Sequence, residues 1–217
     1  MNKWIGIGIG LFATVGLLMF LCGDVEATDH IVDINGNGDY THIQWAIDNS
    51  SDGDTIYVWD GIYNEKIYTH NALSFVGNGS SVTTIDPGSS NHPTISILSN
   101  YVNVTGFNIT SPAEGIFCVG YDHIRIEDNM FQSPYFTHST PVYVWTADDV
   151  VIRNNSVHNF FVINYLMYFE EANVSLVNNS FYSIDNIFAP LIINDCEKAN
   201  ITGNTFRSNH ARCLGIY

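Results

Sequence analysis

Short apolar segments recur in the second half of the chain, and each recurrence follows the same pattern. Two apolar positions flank a polar one, a polar turn follows, and then come an asparagine and a hydrophobic residue. The repeat is clearest in HIRIEDNMF (123–131), DVVIRNNSV (149–157), NVSLVNNSF (173–181) and ANITGNTF (199–206). Its asparagines, Asn129, Asn155, Asn179 and Asn204, are 26, 24 and 25 residues apart. Self-similarity at such a period is typical of a solenoid, in which each unit buries its face against the next.

The alternation within each copy predicts strands. Ile124 and Ile126 should point inward and Arg125 outward, as in a strand with one buried face. Further apolar runs lie between the copies, so each coil supplies three strands, and connections between parallel strands are right-handed. The chain is therefore predicted to be all-β, a right-handed parallel β-helix of three parallel sheets over residues 28–217. The asparagine column is interpreted as structural, because Asn accepts turn conformations and its amides can stack from coil to coil.

A different pattern opens the domain. Ile43, Ala46 and Ile47 follow helical spacing within residues 41–49, and Thr41 is the expected N-cap. A short amphipathic helix at this end of a solenoid would cover the apolar cross-section of the first coil.

The opening residues also carry a resemblance. The segment VDINGNGDYTHIQWAIDNSSDGDTIYVWDGIYNE, followed by LSFVGNG and TTID, resembles the N-terminal coils of pectin methylesterases and of other secreted β-helix proteins of the pectin-lyase-like superfamily. The resemblance covers residues 32–86 and implies a parallel β-helix that meets polysaccharide. The family's catalytic blocks Gln-Asp-Thr and Gly-Arg-Pro-Trp do not occur in the sequence, so the resemblance does not extend to catalytic residues.

The two ends of the chain bear on its location. Lys3, the apolar residues 5–22 and the sequence Val25-Glu26-Ala27 predict a signal peptide over residues 1–27, and hence a secreted or cell-surface protein with no membrane segment beyond that signal. The last residues align with the middle of a first strand. We therefore expect an incomplete C-terminal coil, which continues in a longer chain or pairs with a partner at its edge.

Charge excludes some partners and suggests one cation. The net charge is −15, from 22 acidic and 7 basic residues, which disfavours nucleic acid and anionic lipid, because both are bound through Lys and Arg. Acidic residues recur in the turn before the second strand of each coil. Their alignment predicts a column of Asp122, Asp148, Glu171 and Glu197, in which Glu171 is offset by one residue. Three interpretations are open: solvated turns, a Ca²⁺ site built from clustered carboxylates, or catalytic carboxylates on neighbouring coils.

Aromatic residues crowd the middle coils. Tyr121, Trp145, Tyr165 and Tyr168 are the predicted substrate-binding residues, since Tyr and Trp faces stack on sugar rings. The sequence places five further aromatic residues in the same coils, and we predict that they are exposed as well: Tyr135, Phe136, Phe160, Phe161 and Phe169. The alternative is that these rings pack down on the coil surface.

Together these patterns predict a secreted or surface-displayed protein that binds a polysaccharide or cell-surface glycan along its long face. One alternative is a polysaccharide-active enzyme, either a lyase or a glycoside hydrolase. Another is a structural or adhesive surface domain. No catalytic residues can be assigned from the sequence.

Overall fold

The computed structural model describes residues 26–133, 139–162, 165–186, 191–208 and 215–216. They form three sheets in which every strand pair is parallel. The first coil contributes one strand to sheet A and then the helix, and each later coil contributes one strand to sheet A, then to sheet B, then to sheet C. The predicted parallel β-helix is confirmed. Right-handed coiling stays a prediction from the general rule for parallel connections.

Sheet A has eight strands: β1 (Asp29–Val32), β2 (Thr55–Val58), β5 (Ser74–Gly77), β8 (Asn103–Thr105), β11 (Arg125–Glu127), β14 (Val150–Arg153), β17 (Val174–Val177) and β20 (Ala199–Thr202). Sheet B has seven: β3 (Gly61–Tyr63), β6 (Thr83–Ile85), β9 (Asn108–Thr110), β12 (Met130–Gln132), β15 (Ser156–Val162), β18 (Ser180–Asn186) and β21 (Thr205–Ser208). Sheet C has seven: β4 (Ile67–Thr69), β7 (Ile95–Ile97), β10 (Glu114–Val119), β13 (Thr140–Trp145), β16 (Met167–Glu170), β19 (Leu191–Asn194) and β22 (Gly215–Ile216).

The core is a set of columns of apolar side chains that run along the solenoid. In sheet A, Val104, Ile126, Ile152 and Leu176 occupy one register position and are fully buried. Each therefore packs on the same position of the next coil, which is how a repeat with one apolar face becomes a continuous core.

The helix α1 (Ile43–Asp48) lies at the first coil and buries Ile43, Ala46 and Ile47. The expected N-cap was wrong: His42 occupies that position and makes no side-chain capping bond. Glu65 supplies the missing acceptor instead, because its two oxygens accept the amides of Ile43 and Gln44 at 3.0 Å each. A carboxylate from the next coil thus satisfies two of the orphan N–H groups of the helix end.

The structure also bears on sequence interpretations of single residues. The interpretation of Phe169 as exposed was wrong, because its ring is fully buried in the core. Cys118 is a buried free thiol and Cys196 a partly buried one, and burial raises the pKa of Cys118 to about 12. The signal peptide prediction, Tyr135 and Phe136 lie outside the described residues, apart from positions 26–27. Within the described ranges, no helix is long and apolar enough to cross a membrane.

Candidate functional site

A row of stacked aromatic rings lies on the outer face of sheet C. Phe117, Tyr143 and Tyr168 occupy the same register position on β10, β13 and β16. The ring centroids of Phe117 and Tyr143 are 5.4 Å apart with planes at 14°, and those of Tyr143 and Tyr168 are 5.0 Å apart at 9°. Parallel strands repeat at about 4.8 Å, so identical positions on successive coils stack their rings face to face. We call these three residues the aromatic row.

Polar groups border the aromatic row two positions further along the same strands. Trp145, Glu170 and Asn194 share this second register position. The Tyr168 hydroxyl donates to Glu170 Oε2 at 2.7 Å, and Asn194 Nδ2 donates to Glu170 Oε1 at 3.2 Å. The hydrogen bond to Glu170 raises the pKa of Tyr168 well above its usual value. The outer face therefore combines apolar ring surface with a fixed carboxylate and an amide.

Three of the four predicted substrate-binding residues meet on this face. Trp145 is 41% exposed, and the ring of Tyr165 lies 5.4 Å from that of Tyr168. Tyr121 lies elsewhere, in the turn after β10, and packs partly buried against the core. Tyr143 was missed by the sequence reasoning. Its burial raises its pKa, with Glu170 and Glu114 adding to the shift.

The acidic turns do not form one straight column. Asp122 and Asp148 are aligned, and Asp122 Oδ1 accepts the Asp148 amide at 2.7 Å. Glu171, however, lies at the first position of its turn, directly after the sheet C strand. Asp195 holds the same position in the next coil, and both residues have a left-handed backbone with φ near 50°. Asn173 takes the place predicted for Glu171 and donates to Asp148 Oδ1 at 2.5 Å.

One of the three interpretations of these turns is a calcium site, which needs several oxygen ligands directed at one point. Asp148, Glu171, Asp195 and Glu197 line a surface depression of about 340 Å³ together with Asn173. Yet in the described part of the chain no group of three or more His, Cys, Asp or Glu side chains is arranged to hold a metal ion.

The asparagine column is a hydrogen-bonded ladder inside the turn between sheets A and B. Asn129 Nδ2 donates to Val104 O, Asn155 Nδ2 to Ile126 O and Asn179 Nδ2 to Ile152 O, at 2.7–2.8 Å. Each Oδ1 accepts the backbone amide one coil earlier, as from Asn129 N to Asn155 Oδ1 at 2.9 Å. Asn204 ends the described ladder and accepts the Asn179 amide at 2.8 Å. This column therefore holds neighbouring coils in register.

Comparisons with known proteins support the fold and add one relative. No family model matches the chain. A cell surface glycoprotein of Methanothermus fervidus is 31% identical over 121 residues, which are 55% of this chain. The match spans only 20% of that relative's length.

Solved pectin methylesterase structures have a similar fold. Pectin methylesterase PemA from Erwinia chrysanthemi superimposes with a TM-score of 0.50 at 12% identity, over 79% of this chain and 66% of that one. A pectin methylesterase in complex with hexasaccharide VII gives the same values. At this identity the likeness shows the fold alone: the chain shares the parallel β-helix architecture of the pectin methylesterases.

Proposed function

We propose that this protein lies at the cell surface or is secreted, and that it binds neutral polysaccharide along the outer face of sheet C. The observation that carries the proposal is the aromatic row of Phe117, Tyr143 and Tyr168 with Trp145 beside it. Aromatic faces are the surfaces on which sugar rings stack, and neighbouring polar groups fix the orientation of the bound ligand. Glu170 and Asn194 supply such groups.

Charge favours a neutral polymer over an acidic one. The strands of sheet C in the described ranges contain no Lys or Arg, while Glu170 lies on its outer face. A uronic acid polymer would bring carboxylates toward a chain of net charge −15.

Binding is favoured over catalysis because the blocks Gln-Asp-Thr and Gly-Arg-Pro-Trp, which carry the catalytic residues of pectin methylesterases, do not occur in the sequence. Glu170 is held in place by Tyr168 and Asn194. Each of its oxygens keeps a lone pair that can accept a hydroxyl group of a bound sugar.

Two similar proteins support the proposal at a coarser level. The relative from Methanothermus fervidus is a cell surface glycoprotein, which is in keeping with a surface location. One structural neighbour is in complex with a hexasaccharide, so this architecture accommodates a sugar chain.

The test is affinity electrophoresis through gels that contain a neutral glucan, mannan or galactan. We expect at least one of these polymers to retard the protein, and the Y143A/Y168A double variant to bind roughly tenfold more weakly, about 1.4 kcal/mol for the two rings. The matched control is Y101A. Tyr101 is 61% exposed and stacks on His123, in the turn between β7 and β8 and outside the aromatic row. Equal retardation of the wild type and the double variant would refute binding at the aromatic row.

A structural surface role without glycan binding is the second candidate. The 31% identity to a cell surface glycoprotein favours it. It predicts that none of the three polymers retards the wild-type protein, while the protein still fractionates with the cell envelope.

A further inference from the structure

We propose a second glycan-binding subsite, built around Trp59 on the outer face of sheet A at the N-terminal coils. It lies on a different sheet from the aromatic row, and neither the sequence patterns nor the comparisons point to it. Its ligand class is a neutral sugar chain, and it stands or falls independently of the site on sheet C.

The register of the first coils brings an aromatic floor together. Tyr57 is paired with Ile31 on one side and with Val76 on the other, and all three side chains line one depression. Trp59 comes two residues after Tyr57, directly after the end of β2, and lines the same depression. Trp59 is 42% exposed and Tyr57 39%, so both offer ring surface to a ligand.

Trp59 lies between two depressions. The first has a volume of about 310 Å³ and is floored by Tyr57 and Val76. The second, of about 320 Å³, is lined by Asp33, Asn35, Asn37, Trp59, Asp60 and Asn78. Trp59 and Asn78 belong to both. A ligand longer than one ring can therefore lie across Trp59 and occupy both depressions.

The rim of the second depression presents hydrogen-bond acceptors in fixed directions. Asp33 accepts the side-chain amides of Asn35 and Asn37 at 3.1 and 2.6 Å, and their backbone amides at 2.9 and 3.2 Å. Asn78 Nδ2 likewise donates to Asp60 Oδ1 at 2.6 Å. Because each Nδ2 is directed at a carboxylate, each Oδ1 points away from it.

These three amide oxygens and the second oxygen of Asp60 receive no hydrogen bond from any described residue, so they are available to a ligand. A ring bearing several hydroxyl groups supplies the donors that such a rim lacks.

The same contacts argue against other ligands. Neither depression is lined by Lys or Arg, so an anionic sugar gains no cation there. Asp33 already accepts four hydrogen bonds, which leaves it poorly placed to coordinate a cation. Because the Asp33 contacts hold the loop in place before binding, the ligand orders little of the protein.

The experiment uses fluorine NMR of the whole chain labelled with 5-fluorotryptophan. The resonances are assigned with the single variants W45F, W59F and W145F. The probes are linear neutral hexasaccharides of β-glucose, β-mannose and β-galactose. Asn78-Gly79-Ser80 fits the acceptor sequence for N-glycosylation, so the protein is made in a host that does not glycosylate asparagine.

We expect at least one hexasaccharide to shift the Trp59 resonance saturably, with no shift at Trp45. Trp45 is a matched control because it is 53% exposed on the outer side of α1. N78A should weaken the binding seen at Trp59 about fivefold, the loss of one hydrogen bond. N64A should leave that binding unchanged. Asn64 is exposed like Asn78, but its side chain makes no hydrogen bond to a described residue and it lines neither depression.

The outcomes separate the two sites. A shift at Trp145 with Trp59 silent would overturn this inference and leave the proposed function standing. A shift at Trp59 with Trp145 silent would support the subsite and count against binding on sheet C. The absence of a saturable shift at both Trp59 and Trp145 would overturn the subsite and the proposed function. Equal shifts at Trp45 and Trp59 would refute specific binding at the subsite. Unchanged binding in N78A would refute the claim that the amide oxygens of the rim accept hydrogen bonds from the ligand.

Discussion

The N-terminal coils and the middle coils of this solenoid hold their turns together with different chemistry. In the middle coils the turn between sheets A and B is anchored by a neutral amide that recurs every coil, as in the contacts of Asn129, Asn155 and Asn179. In the N-terminal coils the anchors are carboxylates, and each occurs once. Asp54 accepts the amides of Thr28 and Ser51 at 2.7 and 2.8 Å and lies 3.1 Å from His30 Nε2.

The difference follows from position along the solenoid. A middle coil meets nearly identical neighbours on both sides, so one residue type at a fixed register satisfies every turn. The first coil packs against the helix α1 on one side and pairs with the second coil on the other. Its orphan amides point in different directions, and a carboxylate with two oxygens can satisfy two of them at once. Carboxylates thus hold the turns at the N-terminal end, while neutral amides hold the turns between sheets A and B of the repeat.

The largest expected effect comes from breaking the neutral ladder. N155A should lower the free energy of unfolding by about 3 kcal/mol, because the Asn129 amide and the Ile126 carbonyl would both lose their partner in the core. Chemical denaturation measures the change. The control is N154G: Asn154 is exposed with φ of 56°, a conformation that Gly adopts freely, so stability should change little. A loss below about 1 kcal/mol for N155A would mean that the ladder is not a main support of the coils.

The next effect sharpens the comparison through pH. D54N should lower the free energy of unfolding by about 2 kcal/mol at pH 7. The amides of Thr28 and Ser51 donate to different oxygens of Asp54, and in D54N one of these amides would face an NH₂ group. The control is D29N, because Asp29 is exposed and makes no side-chain hydrogen bond to a described residue.

Acid should reproduce the effect of D54N in the wild type. Burial opposes ionisation of Asp54, yet the hydrogen bonds from Ser51 and Thr28 outweigh it and lower its pKa below the usual 3.8. A lowered pKa in the folded state adds stability above the usual value, and that stability is lost as pH falls through the lowered one. Between pH 5 and pH 2 the wild type should therefore lose more stability than D54N, whereas N155A should follow the wild type. Equal acid sensitivity of the wild type and D54N would contradict the charged anchor.

A smaller and more local effect is expected at the helix. E65Q should destabilise by about 1 kcal/mol, the usual cost of a lost helix cap. Hydrogen exchange should accelerate at the amides of Ile43 and Gln44, which Glu65 holds, and stay slow at the Asn129 amide. D48N serves as the control because Asp48 accepts only a side-chain bond from Gln44. Uniform acceleration across the middle coils would mean that the two regions unfold together.

The same contrast explains what the sequence could predict. A 24–26-residue period is visible in the sequence, so the three sheets, the inward columns and the positions of the ladder asparagines all follow from it. The N-terminal anchors are not periodic. Glu65 acts 22 residues from Ile43, and Asp54 acts 26 residues from Thr28. No local signal marks such a pairing, which is why the helix cap was assigned to Thr41.

The candidate site was only partly predictable for a related reason. Phe117, Tyr143 and Tyr168 are 26 and 25 residues apart, so applying the coil period to aromatic residues would have found the row. Glu171 is offset from Asp122 and Asp148 because the turn from sheet C to sheet A shortens in its coil: it holds residues 171–173 there but 146–149 in the coil before. The one-residue offset is visible in the sequence. Its consequence, that Asn173 contacts Asp148, follows only when both flanking strands are placed.

The smallest effect concerns the charged turn that the middle coils do contain. Asp148, Glu171, Asp195 and Glu197 line one depression, with Glu171 in a left-handed conformation. Each exposed pair repels weakly, so E171Q should raise the free energy of unfolding by about 0.5 kcal/mol at low ionic strength. The gain should vanish in high salt, where the Debye length falls to about 3 Å. D29N is again the control, since Asp29 is exposed and lines none of these turns.

Calcium distinguishes screening from a true site at this turn. Because no described group of three ligand side chains is arranged around a metal, Ca²⁺ and Mg²⁺ at equal ionic strength should raise the melting temperature of the wild type equally. A site would bind only the folded state and would favour Ca²⁺, whose larger and more flexible shell suits carboxylates on separate turns. A rise specific to Ca²⁺ and reduced in E171Q would therefore restore the calcium site that the acidic turns first suggested. Charge would then anchor the middle coils as well as the first ones.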